Sequence, residues 1–178
     1  MKILTYESKN KKERTIVELT ETDVENELKE DKGFVEVIPM RNHNIPVRIF
    51  FDIDQPNITE DPLERTMEII CKFTGCDVNS WAIASCHRSD KLSYHITSKT
   101  HCISIRELRE LTKKCSREYS VFDYMGLYFS IEDEMECGYF RLPNQSKKVI
   151  NKTAPPITIL NGNVSDFFVT RTEGLKYL

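Results

Sequence analysis

One apolar segment that ends in two acids limits the possible folds and functions of this chain more than any other sequence feature. Val47-Arg48-Ile49-Phe50-Phe51-Asp52-Ile53-Asp54 has the composition of a buried β-strand. Because alternate side chains of a strand share a face, Asp52 and Asp54 are expected to point the same way. Two carboxylates held so close stay ionised at low cost only when a cation lies between them or water screens them. Since oxygen ligands favour Mg²⁺ or Mn²⁺, the pair indicates a metal site.

An acidic pair after an apolar strand is not specific by itself. It also occurs in phosphatases of the haloacid dehalogenase type, in many glycosyltransferases and at ordinary strand ends. The phosphatases have threonine or valine two residues after the second aspartate, whereas this chain has Pro56. That phosphatase class is therefore a poor fit.

A second motif, Lys91-Leu92-Ser93-Tyr94-His95, carries hydrogen-bond donors on a predicted strand. Lys91, Ser93 and His95 share one face of that strand, where an ammonium, a hydroxyl and an imidazole suit a polyphosphate. Arg88, in the predicted hairpin turn just upstream, adds a further cation. The alternative is the solvated face of an edge strand with one paired histidine.

Two later segments add candidate residues. In Ser120-Val121-Phe122-Asp123 an aspartate again follows apolar residues, and two-metal phosphoryl transfer commonly uses a carboxylate from a second strand. By itself Asp123 is equally compatible with a turn. Arg141 lies among apolar neighbours, where a guanidinium usually has a carboxylate or phosphate partner. Lys147, which follows in a basic loop, has solvated surface as its alternative.

The composition is that of one domain without a strongly basic surface. The chain has 178 residues, a hydrophobic fraction of 39% and a formal net charge of -3 at pH 7, so it can build one core and lacks the charge of a histone or basic arm. It has no apolar segment long enough for a membrane span or a secretory signal. We therefore expect a soluble intracellular protein without a membrane partner, whose six cysteines are reduced.

The spacing of apolar residues predicts an α/β (α+β) domain, a sheet with helices packed on at least one face. Strands are predicted at 15–19, 34–40, 47–53, 81–86, 92–98, 138–142, 157–160 and 167–170. Helices are predicted to begin at a capping box over Thr22 to Glu25, at Asp61-Pro62, and at a second capping box over Ser104 to Glu107. The polar segment 147–156, with Pro155-Pro156, is expected to be an extended surface link.

Taken in order, these motifs resemble those of the archaeo-eukaryotic primase superfamily. Members have an aspartate pair after an apolar strand, then Ser-x-His, then an aspartate after apolar residues, as in Asp52-Ile53-Asp54, Ser93-Tyr94-His95 and Asp123. Together with a fourth motif around Arg141, described next, they span about Val47 to Lys147, and four ordered motifs are far more specific than any one of them.

The resemblance is closest to the viral and eukaryotic branch, which includes primase-polymerases and the primase regions of poxvirus-like helicase-primases. There a lysine precedes Ser-x-His by two residues, as Lys91 does, and a Phe-Arg-Leu segment precedes a serine and a lysine, as Phe140-Arg141-Leu142 precedes Ser146-Lys147. The sequence departs from the family at Tyr128, which lies five residues after Asp123 instead of the usual four.

The resemblance implies a role for each matching residue. Metal binding falls to Asp52, Asp54 and Asp123, and contact with the incoming triphosphate falls to Lys91, Ser93, His95, Arg141 and Lys147, with Arg88 nearby. The implied fold is a primase-type core whose mixed sheet is related to the RNA-recognition-motif fold. In that interpretation, 1–46 is an N-terminal strand-helix-strand part, 47–147 the motif-bearing core and 148–178 a set of C-terminal strands of one catalytic domain.

The implied reaction is the synthesis of short primers from nucleoside triphosphates on single-stranded DNA, with Mg²⁺ or Mn²⁺ as cofactor. A replicative helicase, on the same or another polypeptide, is the expected protein partner. The expected location is the cytoplasm or nucleus of a cell, infected by a virus if the chain belongs to the viral branch. Two alternatives stay open, namely a metal-dependent nuclease and a non-catalytic module that binds single-stranded nucleic acid. The nuclease would share the acids but would have less need of the donor strip, by which we mean Lys91, Ser93 and His95. The binding module should display aromatic side chains for base stacking at the positions where this chain has acids.

Overall fold

Two main sheets and a two-stranded hairpin form the β-structure of the part of the chain that the structure describes. A computed structural model describes residues 2–6, 14–56, 58–124, 138–149 and 152–178. The strands in these ranges are β1 (Lys2–Tyr6), β2 (Arg14–Glu18), β3 (Val35–Ile38), β4 (Pro46–Gln55), β5 (Trp81–Ser85), β6 (Leu92–Ser104), β7 (Gly138–Arg141), β8 (Lys147–Val149), β9 (Lys152–Ala154), β10 (Thr158–Asn161) and β11 (Lys176–Tyr177). The helices are α1 (Glu21–Glu27), α2 (Leu63–Thr74) and α3 (Ile105–Glu118), with 3₁₀ turns at Val78–Ser80 and Val164–Phe167.

The two sheets differ in size and in the strand at their centre. The smaller has the order β2-β1-β3-β7 and is antiparallel at each described pairing. The larger is centred on the long β6, which pairs with β4 along one edge and with β5 and then β11 along the other, while β10 pairs with β5. Of these pairings the one between β11 and β6 is parallel. The coarse α+β prediction is confirmed, with sheets that are mainly antiparallel.

The alternation of β4 sends neighbouring phenylalanines to opposite faces of the larger sheet. Phe50 meets Phe140 of β7, with ring centroids 4.9 Å apart. Phe51 points the other way and packs edge-on against Phe122 at 5.6 Å and against Trp81 at 6.0 Å. Since Asp52 is two residues from Phe50, its side chain emerges on the face that β7 covers. This arrangement sets the candidate site between the two sheets.

The helix ends follow local hydrogen-bonding rules. The capping box of α3 is confirmed, because the Ser104 hydroxyl accepts from the Glu107 amide at 3.2 Å and the Glu107 carboxylate accepts from the Ser104 amide at 2.9 Å. α2 begins where Asp61 accepts from the Leu63 amide at 3.0 Å and ends at Gly75, whose φ of 68° suits glycine. None of the helices in the described ranges is both long and apolar enough to span a membrane.

The prediction of a capping box at Thr22 is wrong. Thr20 caps α1 instead, since its hydroxyl accepts from the Asp23 amide at 3.3 Å, and the helix ends at Glu27. The N-terminal strand-helix-strand description also omits β1, which pairs with both β2 and β3. The short polar stretch around Thr20 offers two threonines, and sequence alone does not decide which one caps.

Two predictions for the C-terminal part are corrected as well. The expected surface link at 147–156 contains the β8–β9 hairpin, in which Lys147 pairs with Ala154. The expected strand at 167–170 is not a strand in the structure, since a 3₁₀ turn ends at Phe167 and the amides of Val169 and Thr170 donate to the buried Glu36 carboxylate at 2.7 and 2.8 Å. These amides bond to a side chain in place of a neighbouring strand.

Candidate metal and nucleotide site

Three acids converge at the outer edge of β4. Asp52 and Asp54 lie on β4 itself, and the segment that carries Asp123 runs along this edge. The Asp54 amide donates to the Val121 carbonyl at 2.8 Å, and the Asp123 amide donates to the Asp52 carbonyl at 2.9 Å. One ligand oxygen from each of the three carboxylates lies within 4.8 Å of the others. The structure thus brings together the three residues that the motifs single out.

Asp52 has a strongly perturbed carboxyl group. Burial raises the pKa of Asp52 to about 7, and the charges of Asp54 and Asp123 contribute in the same direction. The cations of Lys91 and Arg141 lower this pKa to a smaller extent. Although 41% of the Asp52 side chain is exposed, its Oδ1 atom is buried and has no hydrogen-bond partner among the described residues. A buried carboxylate oxygen without a donor is costly, and a cation would relieve that cost.

His95 lies opposite Asp52 on the neighbouring strand and is nearly inaccessible. Its side chain is 5% exposed, and its ring stacks on Phe140 with centroids 4.5 Å apart. Burial, followed by the charges of Arg141 and Lys91, lowers the pKa of His95 to about 3. The ring is therefore neutral at physiological pH, and Nε2 is 3.7 Å from Asp52 Oδ1, too far for a hydrogen bond. The ring also has a backbone hydrogen bond with Arg141, and Nδ1 is buried without a hydrogen-bond partner among the described residues.

The donor strip runs directly beside the acids. In the β4–β6 pairing, Asp52 lies opposite His95 and Asp54 lies opposite Ser93. Lys91, which immediately precedes β6, forms a salt bridge with Asp54. The donor strip and the acid cluster therefore lie side by side, and the ion pair between Lys91 and Asp54 joins them.

Arg141 reaches the same site from the smaller sheet. Its Nη1 donates to the Pro155 carbonyl at 3.2 Å, and its charge acts on both Asp52 and His95. The expected anionic partner of this guanidinium stays a prediction, since the contact described for it is with a carbonyl oxygen. Arg141 thus adds a positive charge near Asp52 and His95 from β7.

The remaining predicted residues lie further out. Arg88 forms two hydrogen bonds with Asp90 across the hairpin turn, at 3.0 and 3.1 Å, so this cation already has a carboxylate. Lys147 is exposed on β8. Nucleotide binding by Arg88 and Lys147 stays a prediction, and Tyr128 lies outside the described residues.

The sequence motifs did not predict the aromatic residues that lie beside the acids. A cleft of about 380 Å³, part of it open to solvent, adjoins two of the acids. Its lining residues are Phe50, Phe51, Asp52, Thr112, Asp123, Tyr139 and Phe140. Because side chains alternate along a strand, Phe140 and Arg141 are expected to point to opposite faces of β7. Which strand packs against each face depends on long-range contacts, so the sequence pattern does not predict it.

The acid cluster fits a hard divalent cation. Its donors are carboxylate oxygens, which Mg²⁺ and Mn²⁺ prefer over nitrogen or sulfur. Their mutual spacing and the buried, unpartnered Oδ1 of Asp52 are what such an ion would satisfy. Among the described histidines, cysteines and acids this is the group with such spacing.

No protein-family model matches this sequence, and a search of curated proteins likewise gives no match. The resemblance to archaeo-eukaryotic primases thus rests on the ordered motifs.

Proposed function

We propose that this chain is a template-dependent primase-polymerase that joins nucleoside triphosphates on single-stranded DNA. The observation that carries this proposal is the acid cluster beside Ser93 and His95 of the adjacent strand, with Lys91 just before that strand. Polymerisation by two-metal phosphoryl transfer needs both parts, one for the cations and one for the triphosphate. The proposal includes a primase-type core whose sheet is related to the RNA-recognition motif.

Asp52, Asp54 and Asp123 would hold the cofactor. A bound Mg²⁺ or Mn²⁺ would neutralise triphosphate charge and lower the pKa of the attacking hydroxyl. The spacing of the three carboxylates, within 4.8 Å, needs no rearrangement of the β4 backbone for a shared ion. β4 therefore acts as a rigid support for the reacting groups.

The donors on the neighbouring strands would bind the triphosphate. Lys91 balances the charge of Asp54 in the salt bridge described above, and it becomes available to a phosphate once a cation takes over that task. Neutral His95 would donate a hydrogen bond without adding charge. Arg141 would bring a guanidinium to the same anion from β7, in the geometry that suits phosphate oxygens.

The test is primer synthesis by the purified chain on single-stranded DNA with Mn²⁺ or Mg²⁺ and each set of triphosphates. We expect the double variant Asp52→Ala, Asp54→Ala to lose incorporation while it keeps the fold. A matched double variant, Glu68→Ala with Glu110→Ala, removes two exposed helical acids that are not part of the acid cluster and should retain activity. Incorporation by the site variant at the level of this control would refute the proposal.

Triphosphate binding separates the polymerase from a metal-dependent nuclease, because a nuclease has less need of a donor strip. We expect saturable binding of nucleoside triphosphates that Lys91→Ala or His95→Ala weakens, measured by calorimetry. Lys114→Ala, which removes an exposed lysine of α3, is the matched control. Degradation of single-stranded DNA without triphosphate binding would favour the nuclease.

A further inference from the structure

The long helix α3 divides its charged side chains between two sides. Residues three, four or seven positions apart share a side of a helix. By this rule one side carries Glu107, Lys114 and Glu118, and there Glu118 forms a salt bridge with Lys72 of α2 at 2.6 Å. The other side has one cation in each successive turn, and we call this row the cation stripe. Its members are Arg106, Arg109, Lys113 and Arg117.

The cation stripe is accessible to a partner. Arg106 and Arg117 are exposed, and Arg109 and Lys113 are half-buried. Among the described residues, the salt bridges include none of Arg106, Lys113 and Arg117. Exposed Glu110 borders the stripe, but it forms no salt bridge with a described cation. In a chain whose net charge is -3, the stripe is therefore a local positive surface.

The turn between β3 and β4 holds the beginning of the stripe in place. Arg109 donates from Nη1 to His43 Nδ1 at 2.7 Å and from Nη2 to the Met40 carbonyl at 3.3 Å. The Arg106 amide donates to the His43 carbonyl at 3.0 Å. The Arg109 guanidinium and the start of α3 thus have a fixed position relative to this turn.

The middle of the stripe lies close to the acid cluster. Thr112 follows Arg109 by three residues and directly precedes Lys113. Its side chain lines the cleft together with Asp52 and Asp123. An anionic chain that lies along the stripe can therefore approach the acids from the side of Asp123.

The length and repetition of the stripe fit a polymer of anions. With a rise of about 1.5 Å per residue, Arg106 and Arg117 are about 16 Å apart along the helix axis. A small phosphate compound would meet one or two of the four cations, whereas a nucleic-acid backbone brings one charge with each nucleotide. Arginine and lysine contacts to successive phosphates hold such a backbone without reading its bases.

We infer that the cation stripe of α3 binds the phosphate backbone of single-stranded DNA. This inference rests on the proposed function for the choice of occupant, because an acidic protein segment also carries repeated negative charge. Since the contacts are with phosphates, binding at the stripe needs no metal and does not depend on base sequence.

The experiment measures binding of a dye-labelled oligothymidylate by fluorescence anisotropy at several salt concentrations. Chelator is present throughout, so that no metal bridges a phosphate to the acid cluster. For the double variant Arg106→Gln, Lys113→Gln we expect Kd to rise about 25-fold at about 0.1 M salt, from the loss of two phosphate contacts. The slope of log Kd against log salt concentration should fall by about 1.4 for the same reason.

Two further double variants separate position from charge. Lys29→Gln with Lys114→Gln removes the same charge from exposed residues outside the stripe, and Kd should stay within about a factor of two of wild type. Arg106→Lys with Lys113→Arg keeps both charges on the stripe and should bind DNA as the wild type does. Equal Kd values for the glutamine variant of the stripe and for its matched control would overturn the inference.

Glu110→Gln should change the affinity in the opposite direction. Loss of this negative charge beside the stripe should lower Kd for the oligothymidylate about two- to fivefold, an effect that damage to the fold would not produce. A higher Kd in this variant would overturn the inference. So would poly-glutamate that displaces the oligothymidylate at equal concentration of charge, because an acidic protein segment would then be the better occupant.

These binding measurements are independent of turnover. Incorporation by the wild-type chain, together with equal Kd values for the stripe variant and its control, would overturn the inference and leave the proposed function standing. DNA binding that the stripe variant loses, without incorporation by the wild-type chain, would support the stripe and overturn the proposed function.

Discussion

Replacement of Asp52 by asparagine should stabilise the protein without metal and remove most of the stabilisation that metal gives. The carboxylate of Asp52 lies within 4.8 Å of those of Asp54 and Asp123. Two unit charges at that distance repel by about 3.5 kcal/mol at an effective dielectric constant of about 20. Solvent screening of the exposed part of Asp52, and attraction by Lys91 and Arg141, reduce the net penalty to about 1–2 kcal/mol. Asparagine is nearly isosteric and removes this repulsion.

In the metal-free protein the expected gain is a rise in Tm of about 2–8 °C, since about 1 kcal/mol corresponds to about 2–4 °C for a domain of this size. With Mn²⁺ at about one hundred times its Kd, the wild-type protein should gain about 2.7 kcal/mol. The variant has lost one charged ligand and should gain much less. The order of the two melting temperatures therefore inverts when Mn²⁺ replaces chelator.

Thermal unfolding at pH 8, followed by circular dichroism with chelator and with Mn²⁺, gives the four melting temperatures. Glu68→Gln, which neutralises an exposed acid of α2, controls for a change in net charge. Two results would refute the reasoning. One is a lower Tm for Asp52→Asn in chelator, and the other is an equal Mn²⁺ shift in the variant and the wild type.

Two more predictions concern pH and helix capping. In the folded protein the pKa of Asp52 is about 7, above the pKa that this carboxyl has in the unfolded chain. Protonated Asp52 therefore stabilises the metal-free fold below about pH 4, and this stabilisation is lost as the pH rises to about 7. Protons and Mn²⁺ compete for the same carboxylate, so Mn²⁺ affinity measured by calorimetry should fall about tenfold from pH 8 to pH 6, and equal affinities would contradict the assignment. Ser104→Ala should destabilise the protein by about 1 kcal/mol, because it removes the capping box of α3. Denaturant unfolding should show a lower midpoint, while Mn²⁺ affinity stays unchanged. An unchanged midpoint would show that the cap contributes little to stability.

Local rules explain what could be predicted at the site. The period of two along β4 indicated that Asp52 and Asp54 share a face, and the same period indicated a common face for Ser93 and His95. The capping box at Ser104 and the glycine after α2 identified helix ends from short sequence patterns alone. Each of these features depends on residues within a few positions of one another, so the sequence carries them directly.

The partners of those local elements were decided by tertiary structure. Asp123 joins the acids because its amide bonds to the Asp52 carbonyl across 71 positions of chain, and Phe140 stacks on His95 because two sheets meet there. The sequence pattern predicts a strand at 167–170, but the amides of Val169 and Thr170 donate to the Glu36 carboxylate instead of to a neighbouring strand. Hydrogen bonds and ring contacts between distant segments depend on strand pairing and sheet packing, which no local period encodes. The sequence by itself determined which side chains share a strand face, and the tertiary structure alone decided which faces meet to form the cleft.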